Sequence, residues 1–242
     1  MAILTDADLA FYNANGFVGP QRPLFEGAEL QKLNELILPM INHNPAPGER
    51  TEILNLINKE PDFLDFIVED KILDIIEKII GPNFGLRESS AIIKLAGSNT
   101  NFKWHSDFNQ NEFREEIIKI ESVVLLVALT PSTLVSGGLQ FIPKSHLIRS
   151  KRKYEIPPGS DSPVSVEVPR GCCSLHNVHS LHSSGPNQSN VDRILLSFRF
   201  FSTDVSSLSP EAIDYLKRTS ISRVHLRGRD GHSVCAHTLV AR

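Results

Sequence analysis

The chain changes its hydrophobic rhythm near residue 84. Before that point apolar residues recur at helical spacing. Leu30, Leu33, Leu36, Ile37, Met40 and Ile41 predict a helix over 29–41, and Leu73, Ile76, Ile79 and Ile80 predict another over 71–80. Gly81-Pro82 stops the second, because proline cannot continue a helix. A first helix should start at Thr5-Asp6-Ala7-Asp8, whose side chains suit an N-cap, and run to about Asn15, with Gly16 as its stop. From Phe84 onward short β-like runs take over, at 84–95, 100–108, 119–129, 138–142, 164–168, 171–183 and 192–202. Turn-rich stretches separate them, notably 131–138 and 157–163. A last helix, with Ser209 as N-cap and Pro210 in its first turn, reaches about Arg218 and precedes a basic tail with Arg223, Arg227 and Arg229.

Many short strands behind a helical layer predict a mainly β fold, a double-stranded β-helix of the jelly-roll or cupin-like kind with N-terminal helices packed outside. The 242 residues suit one domain, with a core over about 84–203, a helical layer over 5–82, and a C-terminal helix and tail over 209–242. Parity sharpens the picture in the run 192–202. Ile194, Leu196, Phe198 and Phe200 share one apolar face, while Arg193, Ser197 and Arg199 share the other. Burying charge costs several kcal/mol unless it is paired, so the polar face is expected to look into a ligand-filled cavity. Glu88, Ser90 and Lys94 fall together on one side of the first long strand, and His176 falls on the side of His182.

Candidate chemistry centres on Trp104-His105-Ser106-Asp107. In an extended strand His105 and Asp107 point to the same side, with Ser106 turned away. With His182, 75 residues past the aspartate, they make the 2-His-1-carboxylate set that leaves open positions on non-haem iron(II). Arg193 follows eleven residues after His182 and offers a permanently charged fork for a carboxylate. His176 lies six residues before His182, roughly 20 Å away if the strand stays extended, and so too far to share the metal. It is then either pocket-lining or structural. His179 faces the opposite way and His146 sits in a turn, both as structural histidines; Lys151-Arg152-Lys153 reads as a solvated loop.

These residues resemble the phytanoyl-CoA dioxygenase superfamily of Fe(II)/2-oxoglutarate oxygenases over roughly residues 5–203. Gly137-Gly138-Leu139-Gln140-Phe141-Ile142-Pro143-Lys144-Ser145-His146 is similar to a family segment in which Lys144 is usually glycine. His182-Ser183-Ser184-Gly185-Pro186-Asn187-Gln188-Ser189 with Arg193 is similar to the block of the distal ligand, and Phe11 to Val18 to the opening helix and turn. The stretch from Lys94 to Phe108 is spaced as in ectoine hydroxylases. That resemblance implies Phe102 flanking the co-substrate, Ser184 bonded to it and Arg193 on its distal carboxylate, with Lys94 as the other candidate for that carboxylate. The residues that grip ectoine are not kept: Glu88, Asn111, His176 and Ser197 stand at those positions. Glu88, His176, Ser197 and Arg199 are therefore expected to select a different small polar substrate, one bearing a carboxylate or another hydrogen-bonding group.

The resemblance implies iron(II), 2-oxoglutarate and O2, with ascorbate as auxiliary reductant, and hydroxylation as the reaction. The same core supports desaturation, epoxidation or cyclisation, and a non-catalytic 2-oxoglutarate sensor is the alternative from another class. Asp107 speaks against a halogenase, where this carboxylate is absent. Composition narrows the partners. A net charge of −3 gives no reason to expect nucleic acid or membrane binding, and no basic platform for a coenzyme A ester is visible. The chain has no apolar run long enough to cross a bilayer and no signal-peptide pattern at its start. Three cysteines, of which Cys172 and Cys173 are adjacent, make no disulfide framework, so a reducing cytoplasm is expected, with the protein as monomer or homodimer.

Overall fold

The computed structural model describes residues 2–45, 51–108, 114–148, 156–219, 224–230, 235 and 237–238. Helix α1 (Asp6–Asn15) is closed at its start by a reciprocal capping box between Thr5 and Asp8. It ends at Gly16, whose φ of 85° favours glycine. The two-residue strand β1 (Phe17–Val18) follows. Helix α2 (Gly27–Ile37) buries Leu30, Leu33 and Ile37, then tightens into a 3-10 turn at Leu38–Met40 around Pro39.

The periodicity shows no element between Ile41 and Lys71, yet the chain there forms β2 (Glu52–Leu54), α3 (Leu56–Lys59) and α4 (Phe63–Ile67). Each is too short for a repeat to register. Helix α5 (Asp70–Ile80) has a strongly amphipathic pattern and buries Ile72, Leu73, Ile75, Ile76 and Ile80. Burying a side chain of this size contributes about 1.5–3 kcal/mol.

Two mainly antiparallel sheets follow. The long strands are β3 (Phe84–Lys94), β5 (Ser122–Ala128) and β10 (Arg193–Ser202). Between them in sequence come β4 (Phe102–His105), α6 (Arg114–Ile117), β6 (Leu139–Phe141), α7 (Ser145–Ile148), β7 (Val164–Val166), β8 (Cys173–Asn177) and β9 (His182–Ser184). Helix α8 (Pro210–Thr219), β11 (Val224–Arg227) and β12 (His237–Thr238) complete the order. The larger sheet runs β1-β8-β5-β10-β3-β11-β12 with β2 also on β3, and the smaller runs β4-β9-β6-β7. Together they form a double-stranded β-helix that does not close into a barrel. Ile194, Leu196, Phe198 and Phe200 pack in one cluster with α2, α4 and α5 on the outer face of the larger sheet. The other face of β10 looks between the sheets.

Three expectations need correction. The run 171–183 is not one strand: a turn with Ser180 N on the Asn177 carbonyl (2.9 Å) sends β8 and β9 to different sheets. The strand carrying His105 ends at that residue, after a register shift against β9, so Asp107 lies just beyond it. Nor is Arg227 part of a loose tail. It lies on β11 and pairs with Asp70 (3.2 Å), Asp74 (2.8 Å) and Glu77 (2.7 Å) along α5. Asn111, Lys151-Arg152-Lys153 and Arg223 lie outside the described residues. Among the described residues no helix is long and apolar enough to cross a membrane.

Candidate metal centre

His105 on β4 and His182 on β9 stand directly opposite each other in the antiparallel ladder. Their ring centroids are 4.2 Å apart. The Nδ1 of His105 donates to the Lys103 carbonyl (2.7 Å), and that of His182 to the Ser180 carbonyl (3.0 Å). A carbonyl can only accept, so both rings carry their proton on Nδ1 and present an Nε2 lone pair inward. Each Nε2 lies 3.9 Å from Oδ1 of Asp107, too long for a hydrogen bond. One ligand atom from each of the three residues lies within 4.8 Å of the others, a grouping that could hold a metal ion. Burial pushes His182 down to about 4 against the opposing pull of Asp107. It is therefore neutral at pH 7, as a metal ligand must be. Burial alone would raise Asp107, but His182, the His176 hydrogen bond and Arg199 together hold it well below the usual carboxylate range.

His176 overturns the distance expected from an extended strand. The turn after β8 brings its ring to 4.8 Å from that of His182. Its Nε2 donates to Oδ2 of Asp107 at 2.9 Å, and it is 2 % exposed. It is thus neither remote nor merely lining: it grips the carboxylate. Arg199 keeps the expected orientation. It faces inward, but Glu88 (3.0 Å) and Asp107 (3.6 Å) meet its charge from within the protein. Its Nε stays buried without a partner among the described residues, so the guanidinium is paired only in part.

The three histidines and Asp107 open onto a cavity of about 170 Å³ between the sheets, which Phe102, Ser184 and Arg193 also line. Glu88, Ser197 and Arg199 stand in its wall as well, beside apolar Val124, Leu126 and Leu195. Arg193 is 1 % exposed, and one of its terminal nitrogens donates to the Gly137 carbonyl (3.0 Å). Its Nε and other terminal nitrogen are buried with no partner among the described residues. An unmet guanidinium fork at the end of a cavity is what a ligand carboxylate would satisfy. Burial lowers its pKa to about 10, which leaves it charged at neutral pH. Gly137 has φ 75°, and a Cβ there would come 2.6 Å from the Gly185 carbonyl oxygen, so this close approach suits only glycine.

Lys94 is fully buried but sits behind the cavity wall. Its Nζ donates to Ser184 Oγ (2.7 Å), to the Ser184 carbonyl (3.1 Å) and to the Gly185 carbonyl, and lies 5.3 Å from the Phe102 ring centroid. Ser184 Oγ accepts from Lys94, so its own proton remains to donate into the cavity. Burial and the neighbouring Arg193 lower Lys94 to about 7.

Sequence reasoning missed three contributors. Glu52 and Leu54 of β2 line the cavity, but a three-residue strand leaves no pattern to read. Arg87 was missed because alternation puts it on the face away from Glu88, and a β-bulge breaks that alternation. His179 is buried and packs its ring tilted against Phe108 (centroids 4.7 Å apart), while His146 lies in α7 and donates from Nε2 to the Asn13 carbonyl (3.3 Å).

A family model described as phytanoyl-CoA dioxygenase matches residues 12–195. Among named relatives, the ectoine dioxygenase of Streptomyces avermitilis is 26% identical over an alignment of 155 residues that covers 59% of this chain and 52% of that one. A probable alpha-ketoglutarate-dependent hypophosphite dioxygenase of Stutzerimonas stutzeri is 24% identical over 177 residues, 65% of this chain and 60% of its own. The match therefore spans little more than half the length of these relatives. The crystal structure of SnoK, a non-heme alpha ketoglutarate dependent carbocyclase from nogalamycin biosynthesis, superposes with a TM-score of 0.68 at 18% identity, over 86% of this chain and 92% of its own. At that identity the likeness is one of fold.

Proposed function

This chain belongs to the phytanoyl-CoA dioxygenase family, and from that premise we propose that it is an Fe(II)/2-oxoglutarate-dependent dioxygenase that hydroxylates a small polar metabolite. The observation that carries the reading is one cavity holding both a converged His-Asp-His donor set and an unmet arginine fork. The donors suit iron(II), since two neutral imidazoles and one carboxylate on one side leave positions open for other ligands. His105, Asp107 and His182 would hold the ion, and the two carbonyls on the Nδ1 protons would keep their rings in place. Iron so held would supply oxidation of a substrate C–H bond by O2, coupled to decarboxylation of 2-oxoglutarate to succinate and CO2.

The chain's own residues bind and orient. Arg193 takes the distal carboxylate of the co-substrate in its fork, and Ser184 adds a hydroxyl donor whose position Lys94 fixes. Phe102, opposite Ser184 in the β4–β9 ladder, covers one side. Val124, Leu126 and Leu195 keep that part of the cavity apolar, which strengthens the charge pairing inside it. Glu52, Glu88, Ser90 and Ser197 offer hydrogen-bonding groups to a substrate, and a site with buried polar groups rejects ligands that leave them unpaired.

We read the whole chain as a single oxygenase domain that works as a cytoplasmic monomer or homodimer. The same core could carry out cyclisation, the activity ascribed to SnoK, or desaturation or epoxidation; a sensor without turnover is the alternative of another class. Incubation with iron(II), 2-oxoglutarate and O2 across a panel of small polar metabolites tests the proposal. Substrate-stimulated succinate release with a product heavier by one oxygen is expected. Release with loss of two hydrogens would redirect the reaction type, and no release with any metabolite would favour the sensor.

A further inference from the structure

A second, smaller cavity opens beside Asp107. Strands β10 and β3 pair in step until Arg199 meets Glu88; the next pair is Phe200 with Leu86, which leaves Arg87 as the extra residue of a β-bulge. Such a residue drops out of the strand's alternation, and bulges next to active sites re-aim side chains in this way. Arg87 joins Arg199 in lining a cavity of about 30 Å³ whose other walls include Ser122, Asp107, Phe108 and Val178. A cavity needs only about 10–15 Å³ of this kind to admit a water-sized group, so there is room for one small ion or the end of a larger ligand.

The charges in this cavity are unevenly met. Arg199 has Glu88 and Asp107. Arg87 has no hydrogen bond or ion pair among the described residues, and its Nε is buried. The Nε of Arg199 is also buried without a partner among the described residues. Glu88 is already paired to Arg199, and Asp107 accepts from His176 and is committed to the metal centre. Two guanidinium groups thus share one small cavity with two unused donors. Their mutual repulsion shows in Arg87, whose pKa burial and Arg199 lower further than Glu88 and Tyr215 raise it. Such an arrangement is costly unless an anion joins it.

We propose that this cavity is a binding site for one small anionic group of carboxylate size, held between Arg87 and Arg199 beside Ser122. In the working enzyme it takes the anionic substituent of the substrate, a second statement that rests on the oxygenase reading; the site itself does not. The anion answers the charge of Arg87, which no ion pair meets among the described residues, and because both cavities share Asp107 and Arg199, it anchors a ligand next to the metal centre.

The first test uses metal-free protein without co-substrate. Sodium formate is titrated against sodium gluconate at equal ionic strength, since gluconate is too bulky for the cavity. A saturating rise in Tm with formate alone is expected, absent in Arg87→Met and reduced in Arg87→Lys. Should either variant fail to fold, crystals of the unaltered protein soaked in bromide give an independent reading, an anomalous peak between Arg87 and Arg199. Coincident formate and gluconate curves together with no bromide peak would overturn the site. Once a substrate is known, competition by formate assigns the site to the substrate's own anionic group. An unchanged substrate KM would overturn that second statement. Failure of the oxygenase reading looks different: no succinate forms, while the formate shift persists.

Discussion

His176 donates a 2.9 Å hydrogen bond to Oδ2 of Asp107 across 69 residues of sequence. That bond occupies one carboxylate oxygen and leaves Oδ1 as the oxygen equidistant from His105 and His182. Arg199 approaches the same Oδ1 at 3.6 Å. The carboxylate is thereby fixed in rotation before any ion arrives, and partners of metal ligands typically contribute 10–100-fold to affinity. His176→Phe should weaken binding of cobalt(II), used as a spectroscopic stand-in, by roughly tenfold or more and alter its d–d spectrum. His176→Gln, whose amide nitrogen can occupy the place of Nε2, should recover most of the loss. Equal affinities and spectra in all three proteins would show that the bond positions nothing.

Arg193→Lys should raise the KM for 2-oxoglutarate with little change in metal affinity. A point charge replaces a fork whose two unmet nitrogens are already buried in place. A charge-assisted pair is worth about 1.5–3 kcal/mol, so the expected effect is roughly ten- to hundredfold. An unchanged co-substrate KM would place that carboxylate elsewhere.

Lys94 predicts a pH dependence of stability in the co-substrate-free protein. Its folded-state pKa is about 7, lowered from 10.5 by burial and by Arg193. Between those values the unfolded chain binds the proton more readily than the folded one, so this residue makes stability rise with pH across that window. Lys94→Met removes the contribution. The urea midpoint of the variant relative to the parent should therefore be highest near pH 6 and fall as pH approaches 9. A constant difference over that range would mean that Lys94 stays charged in the folded protein.

Lys144→Gly should stabilise the fold. Lys144 adopts φ 62°, a left-handed conformation that glycine enters without a Cβ penalty. Its ion pair with Asp161 (2.9 Å) is exposed and contributes little. After allowance for the extra freedom of glycine in the unfolded chain, a gain of up to about 1 kcal/mol is expected. A lower urea midpoint for the variant would mean that the Asp161 pair outweighs the backbone strain.

How much of this was legible in the sequence follows from range. Capping at Thr5 and Gly16 and the long helix at 70–80 depend on neighbours along the chain, and these elements formed where expected. Alternation in β10 placed Arg193, Ser197 and Arg199 on the cavity side, because a strand paired on both edges keeps its parity. Parity failed where the backbone departs from regularity. The turn after Asn177 brought His176 back to Asp107, and the bulge at Arg87 changed that residue's face. Neither a tight turn within a β-rich run nor a one-residue bulge marks the composition strongly. The pairing of Arg199 with Glu88 was hidden for a different reason: it depends on which residues oppose each other across strands, and only the register settles that.

The most direct measurement of the central claim is succinate formation from 2-oxoglutarate by purified protein supplied with iron(II) and O2, before and after loss of each donor in turn. The unaltered protein should form succinate and lose that activity to a chelator. His105→Ala, Asp107→Ala and His182→Ala should each reduce it to background while melting cooperatively, because two remaining donors are too few to hold the ion. Succinate formation at the parental rate in any one of the three would contradict the assignment of these residues as the metal centre.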